Sequence, residues 1–291
     1  MAAPGTELRG RSLLAVFAHP DDESLACGGL LAWCAHGGAE VSLLCVTDGR
    51  HDRGQRLGEL RAQELGAACR ALGVTSLVLL DYEDGMLPWI DGGRLEADIG
   101  RAIQQFRPEV VITFDEDGLY WHPDHIAVHE RTTAAVAAAG VAGPALYYVT
   151  MPPGGMRAVV EHAREALARR GLDRHRPLRL LGIADPDAFG AVAPAPTLTV
   201  DAAQFASRKL AAIKCHRSQL IDDALDLVDA SDAARLLGVE HYRRADVGFP
   251  GQTFIDRLGA RVVPRSVRLQ PDSSGPANVN AVRLKPDTTY D

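Results

Sequence analysis

Short apolar runs alternate with helical patterns over most of the chain. The runs predict buried strands at residues 13–17, 41–47, 77–80, 110–114 and 145–149. Between them, apolar residues recur with a helical period, which predicts helices at residues 24–36, 57–72, 94–106, 125–139 and 159–170. This alternation of strand and helix predicts an α/β fold, with a Rossmann-like, mostly parallel sheet covered by helices on both faces.

The pattern is less regular in the C-terminal part. We expect a short strand at residues 198–200 and a helix at 202–216. Residues 267–272 recur as 282–287, joined by Ser, Gly, Pro and Asn, and such a composition is typical of disorder. The sequence therefore predicts one domain over residues 1–261 and a disordered tail over residues 262–291.

Composition narrows the possible partners and the compartment. The net charge of −7 and the pI near 5.8 argue against a nucleic-acid partner. The five cysteines are odd in number and form no CxxC pair, which favours reduced thiols in the cytoplasm. Residues 1–11 have no apolar signal core, and no run approaches membrane-spanning length. We expect a cytoplasmic protein with no membrane partner. The composition does not decide between a monomer and a homo-oligomer.

Acidic residues follow three of the predicted strands, at positions 21–22, 81–84 and 115–117. In a parallel sheet these strand ends share one edge, so a mouth rich in carboxylates is expected there. The first turn carries negative charge and no GxGxxG, which argues against a dinucleotide site. A bound metal ion would resolve the repulsion between these carboxylates.

Three residues are the best candidate ligands for that ion. His19 and Asp22 are three residues apart on a strand-to-helix turn, and His125 opens a helix after another strand of the same edge. Two histidines and one carboxylate, with a position left for water, form the pattern of a catalytic zinc site. The same donors also suit Fe²⁺ or Mn²⁺.

Polar residues beside these ligands are candidates for the chemistry. Asp21 is expected to project differently from Asp22 and to act as general base beside the ion. His122 is a candidate general acid or oxyanion donor, and Tyr120 a further oxyanion donor. Asp124 is expected to hold the ring of His122.

Three further polar residues each allow a functional and a structural interpretation. Arg61 forms either a surface ion pair with Glu64 or a contact in the site that binds substrate or orients Asp21. Asp48 and Asp84 are candidate acceptors for sugar hydroxyls, although ordinary turn chemistry is favoured for Asp84.

Three other features have structural interpretations. His216 is expected to cap a helix, with a contribution to the site as the less favoured alternative. Glu23 is interpreted as a charge favoured at a helix N-terminus. The pair Gly28-Gly29 inside a helix predicts close packing onto the sheet.

The motifs resemble a known family. His19-Pro20-Asp21-Asp22-Glu23 and His122-Pro123-Asp124-His125 together resemble the LmbE-like (PIG-L) family of zinc-dependent N-acetylglucosaminyl de-N-acetylases. Supporting matches extend the resemblance over about residues 11–220, and they include Val46-Thr47-Asp48-Gly49, Arg61-x-x-Glu64, Gly118-x-Tyr120-x-His122 and His216-Arg217-Ser218-Gln219. The Tyr-x-His arrangement is similar to the branch that acts on mycothiol precursors and conjugates.

The resemblance implies a function and a set of roles. It implies a metal-dependent deacetylase that releases acetate from a small amino-sugar conjugate. His19, Asp22 and His125 would bind the metal, Asp21 would be the base, and His122 and Tyr120 would act on the carbonyl oxygen. Asp124 would tune His122. The resemblance leaves open whether Asp21 or His122 is the general acid. It also leaves the aglycone of the substrate open. Residues 51–56 and the segment after Tyr148 are the candidate contacts for that aglycone.

Two alternatives from other classes remain at this point. A non-haem iron(II) oxygenase uses the same two histidines and one carboxylate, although such sites commonly lie on all-β barrels. A non-catalytic protein that binds a sugar or a metal would have no need for the base Asp21.

Overall fold

The structure is a computed structural model that describes residues 7–50, 55–192 and 194–261. The strands are β1 (Ser12–Phe17), β2 (Glu40–Thr47), β3 (Ser76–Tyr82), β4 (Val110–Phe114), β5 (Ala145–Thr150), β6 (Leu198–Asp201), β7 (Val239–Gly248) and β8 (Ala260–Arg261). The helices are α1 (Asp22–His36), α2 (Gln55–Leu72), α3 (Gly92–Phe106), α4 (Gly118–Trp121), α5 (Pro123–Ala139), α6 (Arg157–Arg169), α7 (Ala206–Ile213), α8 (Ala230–Leu237) and α9 (Ile255–Leu258).

All eight strands belong to one sheet with the order β3-β2-β1-β4-β5-β7-β6-β8. Adjacent strands from β3 to β5 are parallel. Strand β7 is antiparallel to both β5 and β6, and β8 is antiparallel to β6. The predicted α/β fold with a mostly parallel sheet is therefore confirmed.

The order of the strands reverses at β1. The chain runs from β1 through β2 to β3, and β4 then lies on the other side of β1. Because crossovers between parallel strands are right-handed, this reversal places the helices before it and the helices after it on opposite faces of the sheet. Accordingly, α1 and α2 pack with α7, whereas α3 packs with α5. The crevice between the carboxyl ends of β1 and β4 is where such folds bind ligands.

The central parallel strands are buried on both faces. Every residue of β4 is buried, as is every residue of β1 after Ser12. A strand covered on both faces needs no alternation of polar and apolar residues, so it appears in the sequence as a continuous apolar run. This is why the strands that carry the site were predictable.

The longest strand, β7, was not predicted. Its buried positions alternate with more exposed ones, and one of the buried positions is occupied by Glu240. A charged residue on the buried face breaks the apolar pattern on which the prediction relied. The predicted helix at 202–216 is also shorter, with a 3-10 turn at Ala203–Phe205 before α7. The C-terminal part thus completes the same sheet.

A buried carboxylate explains the glycine pair in α1. The helix is interrupted at Cys27, with φ −144° and ψ 20°. Glu240 accepts hydrogen bonds from the backbone N–H groups of Gly29 (2.8 Å) and Leu30 (2.9 Å), and Lys209 Nζ donates to it at 2.7 Å. A Cβ atom on Gly29 would lie 3.0 Å from Glu240 Oε1. The close packing predicted for the glycines is therefore packing of Gly29 onto this side chain of β7, whereas Gly28 packs against Lys209 of α7 and Leu72 of α2.

Two predictions concern residues that the structure does not describe. The tail at 262–291 lies outside the described residues, so the domain boundary at 261 stays a prediction. Most of the candidate substrate loop at 51–56 also lies outside them. Within the described ranges, no helix is both long and apolar enough to cross a membrane.

Candidate metal centre

The three predicted ligands meet at the carboxyl ends of β1 and β4. His19 follows β1, Asp22 opens α1, and His125 lies in the first turn of α5. All three are buried. His19 Nδ1 lies 3.1 Å from His125 Nε2 and 3.4 Å from Asp22 Oδ2, and His125 Nε2 lies 3.2 Å from Asp22 Oδ1. His125 is 106 positions from His19 and 103 positions from Asp22 in the sequence, and the fold brings the three side chains together.

These separations suit a divalent ion. A tetrahedral ion with bonds of about 2.0–2.1 Å holds its ligand atoms about 3.3–3.4 Å apart. The two nitrogens of His19 and His125 are 3.1 Å apart, and each lies 3.2–3.4 Å from a different oxygen of Asp22. The side chains are therefore close enough together for a divalent ion to bind between them.

The hydrogen bonds of the two imidazoles leave one nitrogen of each ring without a proton, namely Nδ1 of His19 and Nε2 of His125. His125 Nδ1 lies 3.0 Å from the carbonyl oxygen of Gly118, so it donates its proton there and Nε2 keeps a lone pair. His19 Nε2 lies 3.1 Å from Asp124 Oδ2, which leaves the lone pair on Nδ1. Two lone pairs that face each other at 3.1 Å need a proton or a cation between them.

His122 is a second candidate for the third ligand. The ligand nitrogens of His19, His122 and His125 all lie within 4.8 Å of one another. Asp22 fits better, because its oxygens lie 3.2 and 3.4 Å from the two free nitrogens. These distances favour Asp22 as the third ligand, as predicted, with His122 facing the site from one side.

Asp124 contacts a different histidine from the one predicted. Its carboxylate accepts hydrogen bonds from His19 Nε2 (3.1 Å), Gly85 N (2.7 Å) and Leu87 N (3.1 Å). The ring of His122 instead uses Nδ1 to accept from the backbone N–H of Asp124 at 3.2 Å. The prediction that the Asp124 side chain holds His122 is wrong for this structure, because helix α5 turns that carboxylate towards the loop after β3.

We expect Asp124→Ala to weaken metal binding. A carboxylate that holds a metal-binding histidine typically contributes about 10- to 100-fold in affinity. Competition with a chromophoric chelator would measure the change in the dissociation constant. Asp48→Asn is the matched control, since Asp48 pairs with Arg50 Nε at 2.7 Å and contacts none of the three ligands. An unchanged metal affinity in Asp124→Ala would contradict the role given to Asp124.

Asp84 belongs to the site and not only to a turn. Asp84 Oδ1 lies 3.0 Å from His19 Nε2, and its other oxygen lies 3.3 Å from Arg61 Nη1. Burial alone would raise the pKa of Asp84, but the hydrogen bond and charge of His19 and the charge of Arg61 lower it below its usual value. Asp84 and Asp124 thus both stabilise the proton on Nε2 of His19. Asp48 lies apart from the ligands in its pair with Arg50.

Asp21 has a strained backbone. Its φ is 132° and its ψ is −27°, a conformation that residues with a side chain rarely adopt. Such strain is concentrated at functional sites, where the surrounding structure must maintain it. The Asp21 carboxylate contacts Arg61, whereas the Asp22 carboxylate contacts His19 and His125, as expected for two residues with separate tasks.

Arg61 holds the Asp21 carboxylate from the other side. The Arg61 side chain is buried, and its Nη2 donates to Asp21 Oδ2 (3.3 Å) and to the carbonyl oxygen of Pro20 (3.0 Å). Glu64 does not pair with it, because Glu64 accepts from Ser218 N (2.9 Å) and Ser218 Oγ (2.6 Å). The interpretation of Arg61 as a residue that orients Asp21 therefore describes the structure, and the surface ion pair does not.

The surroundings of Asp21 make its carboxyl a stronger base than usual. Burial, together with the nearby charge of Asp22, raises the pKa of Asp21 to about 7, although the Arg61 guanidinium opposes the shift. A bound dication would lower this pKa, since it is the largest local positive charge. The raised pKa favours a carboxyl group that can accept and release a proton.

His122 and Tyr120 are both placed as neutral hydrogen-bond donors. Burial, followed by the charges of His125 and His19, lowers the pKa of His122 to about 4. Since Nδ1 of neutral His122 accepts a hydrogen bond, its proton lies on Nε2. Burial and nearby carboxylates raise the pKa of Tyr120 well above its usual value, so its hydroxyl keeps its proton. The Tyr120 ring centroid lies 5.9 Å from that of His122.

A twisted loop brings Tyr120 and His125 together. Leu119 and Trp121 have φ values of 66° and 64°, on either side of Tyr120. Gly118 has a φ of 54°, and a Cβ atom there would lie 2.9 Å from His125 Cβ. Glycine at this position is what lets the carbonyl oxygen of residue 118 reach His125 Nδ1.

Sequence reasoning missed the contacts of Glu23 and His216. Glu23 is fully buried, and it accepts from the Asp21 backbone N–H at 3.1 Å and from His216 Nε2 at 3.0 Å. Each contact goes beyond the predicted role, since Glu23 holds the N-cap residue Asp21 and the His216 side chain contacts Glu23. The signal available in sequence was that Glu23 directly follows the ligand Asp22, and that His216 lies in one of the weaker matching motifs.

A three-ligand cluster beside a buried base, at the switch point of an α/β sheet, is typical of a metal-dependent hydrolase. Residues 14–136 match the PIG-L family, described as GlcNAc-PI de-N-acetylase. The 1D-myo-inositol 2-acetamido-2-deoxy-alpha-D-glucopyranoside deacetylase of Acidothermus cellulolyticus is 35% identical over 264 residues, covering 80% of this chain and 88% of the relative. The chain belongs to the PIG-L family and is a metal-dependent deacetylase, which confirms the predicted family and activity.

Solved structures share the fold. The N,N'-diacetylchitobiose deacetylase from Pyrococcus horikoshii has a TM-score of 0.53 and 22% identity, and the match covers 80% of this chain and 83% of that one. The 4-carboxy-2-hydroxymuconate hydratase from Pseudomonas putida KT2440 has a TM-score of 0.54 and 17% identity, covering 84% and 98%. Because this fold also serves a hydratase, the activity is assigned from the relatives and not from the fold.

Proposed function

We propose that this enzyme uses Zn²⁺ to remove the acetyl group from an N-acetylglucosaminyl group that is α-linked to a small polar aglycone such as inositol. The observation that carries the proposal is the pair of free nitrogens of His19 and His125 beside Asp22, with Asp21 held next to them by Arg61. The substrate class is supported by the relative from Acidothermus cellulolyticus, which is named for that substrate. The oxygenase and the non-catalytic binder gain no support from relatives that are deacetylases.

His19, Asp22 and His125 would hold the ion. Two imidazoles and one carboxylate are a donor set that binds Zn²⁺ well, and the same set accepts Fe²⁺ or Mn²⁺. When bound, the ion lowers the pKa of a water molecule and polarises an amide carbonyl. The remaining chemistry belongs to side chains of the protein.

Asp21 would act as the general base. Its carboxylate adjoins the ligand Asp22, and Arg61 fixes one of its oxygens at 3.3 Å. It takes a proton from the attacking water as the C–O bond to the acetamide carbonyl carbon forms. Arg61 then stabilises the carboxylate whenever the proton has left, so the side chain returns to its starting state.

His122 and Tyr120 would stabilise the carbonyl oxygen as it becomes negative. Both are neutral donors, through Nε2–H and the phenolic O–H, as the lowered and raised pKa values indicate. Donors fixed before the reaction need no reorganisation when charge develops, which is why they lower the barrier. Their support comes from the packed rings of Tyr120, His122 and His125.

The leaving amine needs a proton when the C–N bond breaks. His122 has no spare proton near neutral pH, because burial and its histidine neighbours lower its pKa to about 4. Asp21 holds the proton that it took from water, and the same carboxyl group can return that proton to the amine. We therefore assign the general acid to Asp21. The products are acetate and a free amino sugar, and one water is consumed.

The state of the cysteines supports a proposal for the compartment in which the enzyme acts. All five cysteines are free, and four of them are buried. Reduced thiols are typical of the cytoplasm, so we propose that the enzyme acts there.

The test is acetate release combined with metal analysis of the purified protein. The panel contains N-acetylglucosaminyl-inositol, diacetylchitobiose, free N-acetylglucosamine and N-acetyl-lysine. We expect stoichiometric zinc and the highest kcat/KM with the inositol conjugate. A preference for N-acetyl-lysine would contradict the sugar assignment, and full activity after metal removal would contradict the metal.

A further inference from the structure

We propose that the buried pair Glu23–His216 positions the base Asp21, through the backbone and not through the carboxylate. This inference rests on the proposed role of Asp21 as general base. It assigns a function to two residues whose side chains make no hydrogen bond with His19, Asp22 or His125 among the described residues.

The first step of the argument is the contact with the backbone. Glu23 Oε2 accepts a hydrogen bond from the backbone N–H of Asp21 at 3.1 Å. Asp21 is the N-cap residue of α1, and its own side chain makes no capping hydrogen bond. A glutamate that reaches back to the N-cap N–H is known from the capping box, where it holds the entry of the chain into the helix. Here it holds a residue with a φ of 132°.

The second step concerns the hydrogen bonds that fix the Glu23 carboxylate. Glu23 Oε1 accepts from His216 Nε2 at 3.0 Å and from Ser24 Oγ at 2.5 Å. Glu23 is 0% exposed and His216 is 1% exposed. A buried carboxylate must have such partners, because without them it takes up a proton or moves towards water. His216 therefore decides whether Glu23 keeps the geometry that restrains Asp21.

The third step is that His216 lies outside the metal centre. It follows α7, and its side-chain hydrogen bonds among the described residues are with Glu23 and Ser24. Its Nδ1 atom is buried and has no hydrogen-bond partner in the described part of the chain. None of these contacts is with His19, Asp22 or His125, so the contact with Glu23 is the one through which His216 would act on Asp21.

The strained conformation of Asp21 needs two restraints. Arg61 restrains the carboxylate and Glu23 restrains the backbone N–H, from opposite ends of the residue. If the backbone restraint is lost, Asp21 can relax to a negative φ, which displaces its carboxylate. A displacement of about 1 Å at a catalytic group can cost on the order of 100-fold in rate.

The experiment compares two replacements of His216 in the full-length, metal-loaded enzyme. His216→Phe fills the space but removes the donor, and we expect kcat to fall about 10- to 100-fold with KM and metal content unchanged. His216→Gln places an amide N–H near the position of Nε2, and we expect it to restore most of kcat. If His216→Gln and His216→Phe lose equal activity, or if neither loses any, the inference is wrong.

A double variant separates positioning from general damage. If Glu23 and His216 act through Asp21, then Asp21→Ala/His216→Phe should be no slower than Asp21→Ala alone. Multiplied losses would overturn the inference. Should Asp21→Ala itself keep full activity, the proposed function would fail, which is a different result from a failure of this inference.

Lys209→Met, on the helix α7 that precedes His216, is the matched control. It breaks another buried ion pair against α1, that of Lys209 with Glu240, which does not contact Asp21. We expect a lower Tm and an unchanged kcat per folded molecule. An equal loss of kcat in Lys209→Met would mean that general destabilisation of α1 explains both results.

Discussion

Asp21→Ala is expected to reduce kcat by about 10²- to 10⁴-fold, the usual contribution of a general base, while the enzyme keeps its metal. The three ligand atoms of His19, Asp22 and His125 remain in place when the Asp21 side chain is shortened. The substrate should still bind, so the loss should appear in kcat more than in KM. Steady-state acetate release and metal analysis of the same preparation measure both quantities.

Asp21→Asn is the second variant of this pair. It keeps the size of the side chain and an oxygen that can accept from Arg61 Nη2, but it removes the base. We expect a loss similar to that of Asp21→Ala, because both variants lack the carboxylate. Near-normal turnover in Asp21→Asn would show that Asp21 orients groups without accepting a proton, and the mechanism would have to be abandoned.

His125→Ala is expected to lose both metal and turnover. Its Nε2 atom provides one of the three ligand positions, and the remaining His19 and Asp22 bind a divalent ion more weakly. Since a catalytic metal contributes several kcal/mol of transition-state stabilisation, we expect turnover to fall about 10³-fold or more. Metal content after dialysis against a weak chelator, and activity before and after addition of Zn²⁺, measure the effect.

His129→Gln is the matched control for this variant. His129 lies one turn further along α5, and its Nδ1 interacts with the carbonyl oxygen of Phe114 at 2.9 Å. We expect His129→Gln to retain metal and turnover. If His125→Ala kept stoichiometric metal while His129→Gln lost it, the ligand assignment would be wrong.

The predictable part of the molecule is the parallel half of the sheet. Strands such as β1 and β4 are buried on both faces, and therefore appear as apolar runs bounded by polar turns. The chemistry was predictable for a related reason. Ligands that follow such strands are brought to one edge by the topology, so His19 and His125 could be paired before any distance was known.

The parts that were not predicted depend on buried charge. Strand β7 carries Glu240 on its buried face, and Arg61 is a buried cation on a helix whose sequence suggests a surface pair. In both cases the charge is matched by partners far away in sequence, such as Lys209 for Glu240 and Asp21 for Arg61. Local patterns contain no record of such partners, so they favour the exposed interpretation.

The sequence by itself determined the class of fold and the family, and it predicted a set of metal ligands that the fold brings together. Each of these depends on local order: apolar runs that must be strands, and short motifs whose residues act together. Only the tertiary structure decided which partner each polar side chain has. It places Asp124 on His19, Arg61 on Asp21, and Glu23 between Asp21 and His216. The physical reason is that a buried polar group must find its hydrogen bonds in three dimensions, and a one-dimensional spacing does not contain them.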